Sequence, residues 1–249
     1  MKLRRFLLLL IAMGGAMCGD RAAVAQATAP ATGTPPGSSS APPVGEMKPL
    51  GRDRYQIGNI VLDKRARRFT VPGRVHVLGR PLEYLATSPR GMKEYEALLE
   101  LDATGSEFNL ACILLGLERD PQQAPLYQFS RPPVAGPRVE VSVGWLEGRK
   151  RRQLSAAEAL LDPTGPVKPE SVAWVYTGSI PTMQDGRFAA DVTGTLIGFV
   201  HDANSIIESV EGLGIGAYGS ISGNVALLPP AGTPVELIIE VPQRPRDTR

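Results

Sequence analysis

The stretch EYEALLELDATGSEFNLACILLGLE, residues 94–118, decides how the rest of the chain is read. Tyr95, Ala97, Leu99 and Leu101 alternate with Glu94, Glu96, Leu98, Glu100 and Asp102, the period of a strand with one apolar face. Met92, Tyr95, Leu98 and Leu99 also fit one helical face, in residue types that favour helix. A helix would set Glu96 and Glu100 one turn apart, a mildly repulsive pair. Residues 93–102 therefore read as strand, with helix as the alternative. Thr104-Gly105-Ser106-Glu107 has capping-box spacing, in which a hydroxyl and a carboxylate satisfy orphan backbone donors. Phe108 to Leu115 is apolar almost throughout and Gly116 suits the position after the last turn. A buried helix over about 105–116 is predicted.

Outward from that stretch, short alternating runs bounded by turn residues dominate. IGNIVLD (57–63) and RFTVPGRV (68–75) read as a hairpin around Lys64 to Arg67. PLEYLAT (81–87), RVEVSVGW (138–145), SVAWVYTG (171–178) and VELIIEV (235–241) read as strands, with Val139, Val141 and Val143 on one face. RFAADVTGTLIGFV (187–200) reads as a hairpin turning at Thr193-Gly194, and SAAEALL (155–161) as a short helix. The expected fold is a single antiparallel-strand-rich α+β domain with one buried and one short helix.

The N-terminus resembles an export signal. Lys2, Arg4 and Arg5 precede an apolar run, Phe6 to Gly19, too short to span a bilayer. Ala23-Val24-Ala25 and Ala25-Gln26-Ala27 offer cleavage sites, while Met17 before Cys18 departs from a lipoprotein signal. Residues 1–25 are thus expected to be a signal peptide and 26–48, rich in Pro, Ala, Gly and Ser, a flexible linker. A domain over 49–243 and a polar tail over 244–249 complete the chain. The expected location is the periplasm or beyond, with no stable membrane span after cleavage.

Charge and cysteine content exclude several functions. Lys2, Arg4, Arg5 and Arg21 against Asp20 place three net positive charges in residues 1–25, so the formal +2 of the chain becomes −1 for the remainder. That balance gives no warrant for nucleic-acid binding. Beyond the signal only Cys112 remains, too few for a disulfide or a cysteine-ligated cluster. Its neighbours are apolar, so it reads as a core residue.

Candidate chemistry is sparse. Glu94 and Glu96 would share a strand face, close enough to hold a cation or share a proton, but no histidine or third ligand lies nearby in sequence. No metal site and no cofactor are expected. GIGAYG (214–219) matches a dinucleotide pattern but precedes SISGN rather than an amphipathic helix. His76 alternates with Val75 and Val77 as an exposed strand residue does. Ser179 follows a strand and a glycine, and with His201 and Asp202 it forms the one conceivable hydrolase set.

The succession LEYL (82–85), KEYEALLELD (93–102), NLACILLGLE (109–118), VEVSVGW (139–145), AAEALL (156–161), WVYTGS (174–179) and DVTGTLIGFV (191–200) resembles the YdjY-type domain family of exported bacterial proteins. The resemblance spans about 55–240 and implies an address and a fold without a mechanism. Where family members commonly carry histidine before the second-segment glutamate, this chain has Tyr95 before Glu96, which weakens a histidine–glutamate metal pair. The iron–sulfur role attached to some members does not suit a chain with Cys112 alone. Within the resemblance, the polar and aromatic positions Glu83, Glu96, Tyr176, Gly178 and Ser179 form the candidate binding patch. The expected role is a non-catalytic binding or assembly module contacting an envelope protein or glycan. A cell-envelope hydrolase using Ser179 or a carboxylate with His201 is the alternative.

Overall fold

The computed structural model of the chain describes residues 46–180, 186–214 and 219–243. Its strands are β1 (Met47–Gly51), β2 (Arg54–Ile57), β3 (Ile60–Asp63), β4 (Arg68–Val75), β5 (Tyr84–Thr87) and β6 (Ala97–Leu101). Helix α1 (Gly105–Leu114) follows, then β7 (Arg138–Glu147), β8 (Lys150–Ser155), β9 (Leu160–Asp162), β10 (Gly165–Pro166) and β11 (Trp174–Tyr176). Helix α2 (Ala189–Thr193), β12 (Thr195–Gly198), β13 (Ile207–Ser209), β14 (Ser222–Gly223) and β15 (Pro234–Glu240) complete the order.

Eight strands close into a barrel. The ring runs β4-β15-β7-β11-β13-β12-β5-β6 and returns to β4 through the β4–β6 pairing. β1, β2 and β3 extend from the free part of β4, β8 pairs outside β7, and β10-β9-β14 form a small separate sheet. Register places every second residue inside. Phe69 and Val71 pair with Ile239 and Leu237, which pair in turn with Val141 and Val143. Trp174 meets Val139, Ile197 meets Ile207, and Ala86 meets Leu99, so one apolar lining runs around the ring. These side chains are almost fully buried.

The fold is therefore mostly β, and the α+β expectation is corrected. Helix α1 has the predicted capping box, with the Thr104 hydroxyl accepting from the Glu107 N–H and the Glu107 carboxylate accepting from Thr104 N–H. It buries only one face: Phe108 stacks edge-on against Phe69 with centroids 5.2 Å apart, while Ile113 is half exposed. It covers the barrel rather than forming a layer equal to a sheet. The short helix expected at 155–161 is absent. Ala156 N–H donates to Val141 O, and after a turn the chain enters β9, so Ala156, Ala157 and Ala159 are buried by strand neighbours despite their helix propensity. Residues 187–200 form no hairpin: α2 ends at the left-handed Gly194, and β12 continues beyond it.

In the opening stretch, 94–96 is one turn of 3₁₀ helix and 97–101 is β6. That turn brings the chain back so that β6 lies parallel to β5. Ala97, Leu99 and Leu101 face inward, which puts Glu96, Leu98 and Glu100 on the outer side.

Closure depends on close backbone approach. A Cβ on Gly73 would lie 2.3 Å from Glu100 O, a contact with backbone that cannot swing aside. Gly73→Ala is expected to destabilise the domain by about 2–4 kcal/mol, seen as a lower midpoint in urea unfolding. A change within about 0.5 kcal/mol would show that the β4–β6 seam does not hold the barrel.

Candidate functional site

Parallel pairing of β5 and β6 brings Glu83 and Glu96 together. Glu83 N–H donates to Glu96 O at 3.0 Å, extending the ladder by one residue, and both side chains leave the barrel on its outer face. Both are buried. Lys93, from the same 3₁₀ turn, reaches Glu96 Oε2 at 3.2 Å and Glu83 Oε2 at 3.6 Å. Two carboxyl groups facing one ammonium cannot both ionise freely. Burial first, and the neighbouring Glu96 charge second, push the Glu83 carboxyl up to about 7 against the pull of Lys93. Lys93 is itself held above its ordinary range: burial works the other way, but the Glu96 hydrogen bond and the two carboxylates outweigh it.

The polar chain continues inward. Gln128 donates to Glu83 Oε2 at 2.8 Å and to the Tyr84 hydroxyl at 3.2 Å. Tyr84 donates to Asp202 Oδ2 at 2.8 Å, and Asp202 N–H donates to Glu208 Oε1 at 3.0 Å. Burial and the Asp202 charge keep Tyr84 a neutral donor. Complete burial raises the Glu208 carboxyl well above the carboxylate range, and the Asp202 N–H only partly offsets this. Glu208 Oε2 and the Ser205 hydroxyl both lack a well-formed partner among the described residues. Such a network holds one arrangement of the loops over the barrel, since each buried polar group needs its neighbour.

Of the remaining predicted residues, Asp202 joins this network through Tyr84, while Tyr176, Gly178, Ser179 and His201 make no hydrogen bond or ion pair to Glu83 or Glu96 among those described. Tyr176 is an inward-facing barrel residue whose hydroxyl donates to Asn109 Oδ1 of α1 at 2.8 Å. Gly178 has φ +75, and a Cβ there would lie 2.8 Å from the Arg119 side chain. Ser179, also at positive φ and buried, donates its hydroxyl to Asn204 O at 2.6 Å. His201 is fully buried at φ 60, with Nδ1 2.6 Å from Ser130 O and Nε2 2.9 Å from Ser209 O. The serine and the imidazole each engage backbone carbonyls rather than one another, and Asp202 bonds Tyr84 and Asn204. No Ser179–His201–Asp202 relay is assembled. Cys112 is buried, and burial pushes its thiol up, away from nucleophilic use. Most of GIGAYG lies outside the described residues.

Sequence reasoning missed Lys93 and Gln128, the two donors that meet at Glu83. Lys93 sits next to Glu94 and three residues before Glu96, both already singled out, a signal within reach, whereas Gln128 comes from an irregular segment with no pattern. A cleft of about 710 Å³ lies elsewhere, between β7, β8 and the 169–174 segment, and none of the predicted residues lines it.

What this defines is a closed β-barrel domain whose outer face carries a covered network of carboxyl groups. The chain belongs to the YdjY domain family, which matches it over residues 60–240. No curated protein and no solved structure matches it.

Because the folded domain holds a proton on Glu83 more tightly than an unfolded chain does, Glu83 costs no stability below about pH 4.5 and progressively more as pH rises through about 7. Replacing Glu83 by Gln removes that dependence. Melting temperatures of the parent should fall by more than those of E83Q between pH 5 and pH 8, a differential of about 2 kcal/mol. Parallel curves would rule out the raised value.

Proposed function

We propose that the chain is an exported binding or assembly module of the bacterial cell envelope, with residues 1–25 as signal peptide and the Pro/Ala/Gly/Ser-rich segment from residue 26 up to β1 as tether. The domain would contact an envelope protein through the surface around Glu83, Lys93 and Gln128.

One observation carries this reading. Lys93 and Gln128 both reach Glu83 Oε2, so the two segments that supply them meet there. Each of those residues is flanked by large exposed apolar side chains: Met92 and Tyr95 beside Lys93, and Leu126, Tyr127 and Phe129 beside Gln128. Met92 is 66% exposed and Leu126 79%, so the two segments that meet at Glu83 both present large apolar side chains to solvent, and apolar surface grouped in this way marks interaction sites. Aromatic residues and methionine around a hydrogen-bonded polar centre match the composition of protein interfaces. The aliphatic pair Met92 and Leu126 favours a protein partner over a glycan. The segments are also pre-ordered, because Phe129 N–H donates to His201 O and Ser130 O contacts the His201 ring. Such anchoring lowers the ordering cost of association.

A hydrolase acting on envelope material is the second reading, and one feature favours it. A carboxyl group held to about 7 beside a second carboxylate suits general acid catalysis.

A photo-crosslinking amino acid placed in turn at Tyr95 and Tyr127 tests the interface in intact cells. Both positions should yield the same protein adduct, and a probe at the exposed Glu170 should not. Different adducts at the two positions, or none, would refute a shared surface. Release of soluble fragments from envelope polymer by the parent but not by E83Q would instead establish the hydrolase.

A further inference from the structure

We propose that His76, Glu94 and Glu100 bind a divalent first-row transition-metal ion on the outer face of the barrel. Their ligand atoms all lie within 4.8 Å of one another. The three residues come from separate places: His76 just beyond β4, Glu94 in the 3₁₀ turn and Glu100 in β6. Backbone pairing fixes the approach. Arg74 pairs with Glu100 across the β4–β6 seam, and His76, two residues on, points to the same side and donates its N–H to Leu98 O at 2.8 Å.

The donor set is mixed, one imidazole and two carboxylates, and that distinguishes it from a surface cluster of acids. Imidazole selects for zinc, iron, nickel or copper over magnesium and calcium, and the carboxylates suit harder ions, so Zn²⁺ and Mn²⁺ fall within its range. In a tetrahedral zinc shell, donors about 2.1 Å from the metal stand roughly 3.4 Å apart, within reach of small side-chain rotations here. Glu100 is the anchored ligand: its side chain is only 6% exposed, and Arg74 Nη2 holds Oε1 at 2.7 Å while Oε2 faces His76 Nδ1 at 3.9 Å. A partner on the outer oxygen orients a ligating carboxylate, leaving the second oxygen for the metal. His76 and Glu94 are half-buried, so the ion would enter from solvent and keep at least one water-bound position. Among the described residues no ion pair includes Glu94, and Arg74 pairs with Glu100 alone of the two carboxylates. With a neutral imidazole the cluster is left with one net negative charge, which favours a cation.

The site stands beside the proposed interface but does not depend on it, since none of its ligands contacts Gln128 or Glu83 in the hydrogen bonds and ion pairs above. Calorimetric titration of the purified tag-free protein with Zn²⁺ should show one ion per chain, and Co²⁺ should give visible absorption bands of a four- or five-coordinate centre. His76→Ala should weaken binding about 100-fold and Glu94→Gln about tenfold, with loss of the Co²⁺ bands, while Glu170→Gln behaves as the parent. Zn²⁺ should raise the melting temperature of the parent but not of His76→Ala. Glu94 is partly exposed, so its variant keeps the test open should His76→Ala fail to fold. No stoichiometric uptake by the parent, or unchanged affinity in both ligand variants, overturns the site.

Discussion

The structure depends on one strand serving three neighbours. β4 pairs along its length with β15, while its other edge is shared between β3 near Arg68 to Thr70 and β6 near Gly73 to Val75. The change of partner falls at Pro72-Gly73. Asp102 N–H donates to Pro72 O, and the missing side chain of Gly73 lets Glu100 O come close. Proline inside a central strand is disfavoured because it cannot complete the ladder, and here it stands where the ladder changes hands. Once β6 is seated, the ring is closed and strand pairing around it leaves only short edges outside.

Closure also decides where charge can go. The barrel interior is lined by Phe69, Val71, Val141, Val143, Leu99, Ile197, Leu237 and Ile239, an apolar setting that penalises a charged group. The carboxylates of Glu83 and Glu96, just before β5 and β6, and of Glu100 and Glu208 on β6 and β13 therefore face outward, and they would ordinarily be wet. Gln128 and the 201–206 loop cover part of that face, so Glu83, Glu96 and Glu208 are buried on the outside of the barrel. Each then needs a partner or a proton. The Glu83–Lys93–Glu96 group and the Tyr84–Asp202–Glu208 chain follow from that need. Ser179 and His201 belong to the same covering: both adopt positive φ and both bind backbone carbonyls, so they pin loops where loops must cross a polar surface.

Much of this was legible where the pattern was local. The capping box at Thr104 to Glu107 depends on four adjacent residues, and Val139, Val141 and Val143 declare a strand face by alternation alone. Propensity misled where tertiary pairing overrode it. SAAEALL has helical residue types, yet Ala156 joins the Val141 ladder, and a helix there would leave that carbonyl unpaired. The short α2 reads as strand from Val192 and the following Thr-Gly because five residues are too few to show a helical period. Ring closure could not be read at all, since it rests on three residue pairs separated by some twenty-five positions. The same holds for the site. Glu83 and Glu96 stood out as acids within apolar runs, but His76 approaches Glu100 only because β4 and β6 pair.

The turn over residues 91–96 is where these constraints converge. Its Lys93 turns toward Glu83 and Glu96, its Glu94 toward Glu100 and His76, and its Met92 and Tyr95 toward solvent. Backbone bonds fix its ends, with Met92 N–H donating to Thr193 O and Glu96 N–H to Lys93 O. A turn held this way presents its exposed side chains at little entropic cost. Alternating acids on β6 are what make this possible: Glu96 serves the β5 side, Glu100 the β4 side, and Leu98 between them packs beneath the segment around Gly223. The acidic run that first suggests a solvated strand face is thus divided by the barrel into two separate neighbourhoods, each with its own counter-charge.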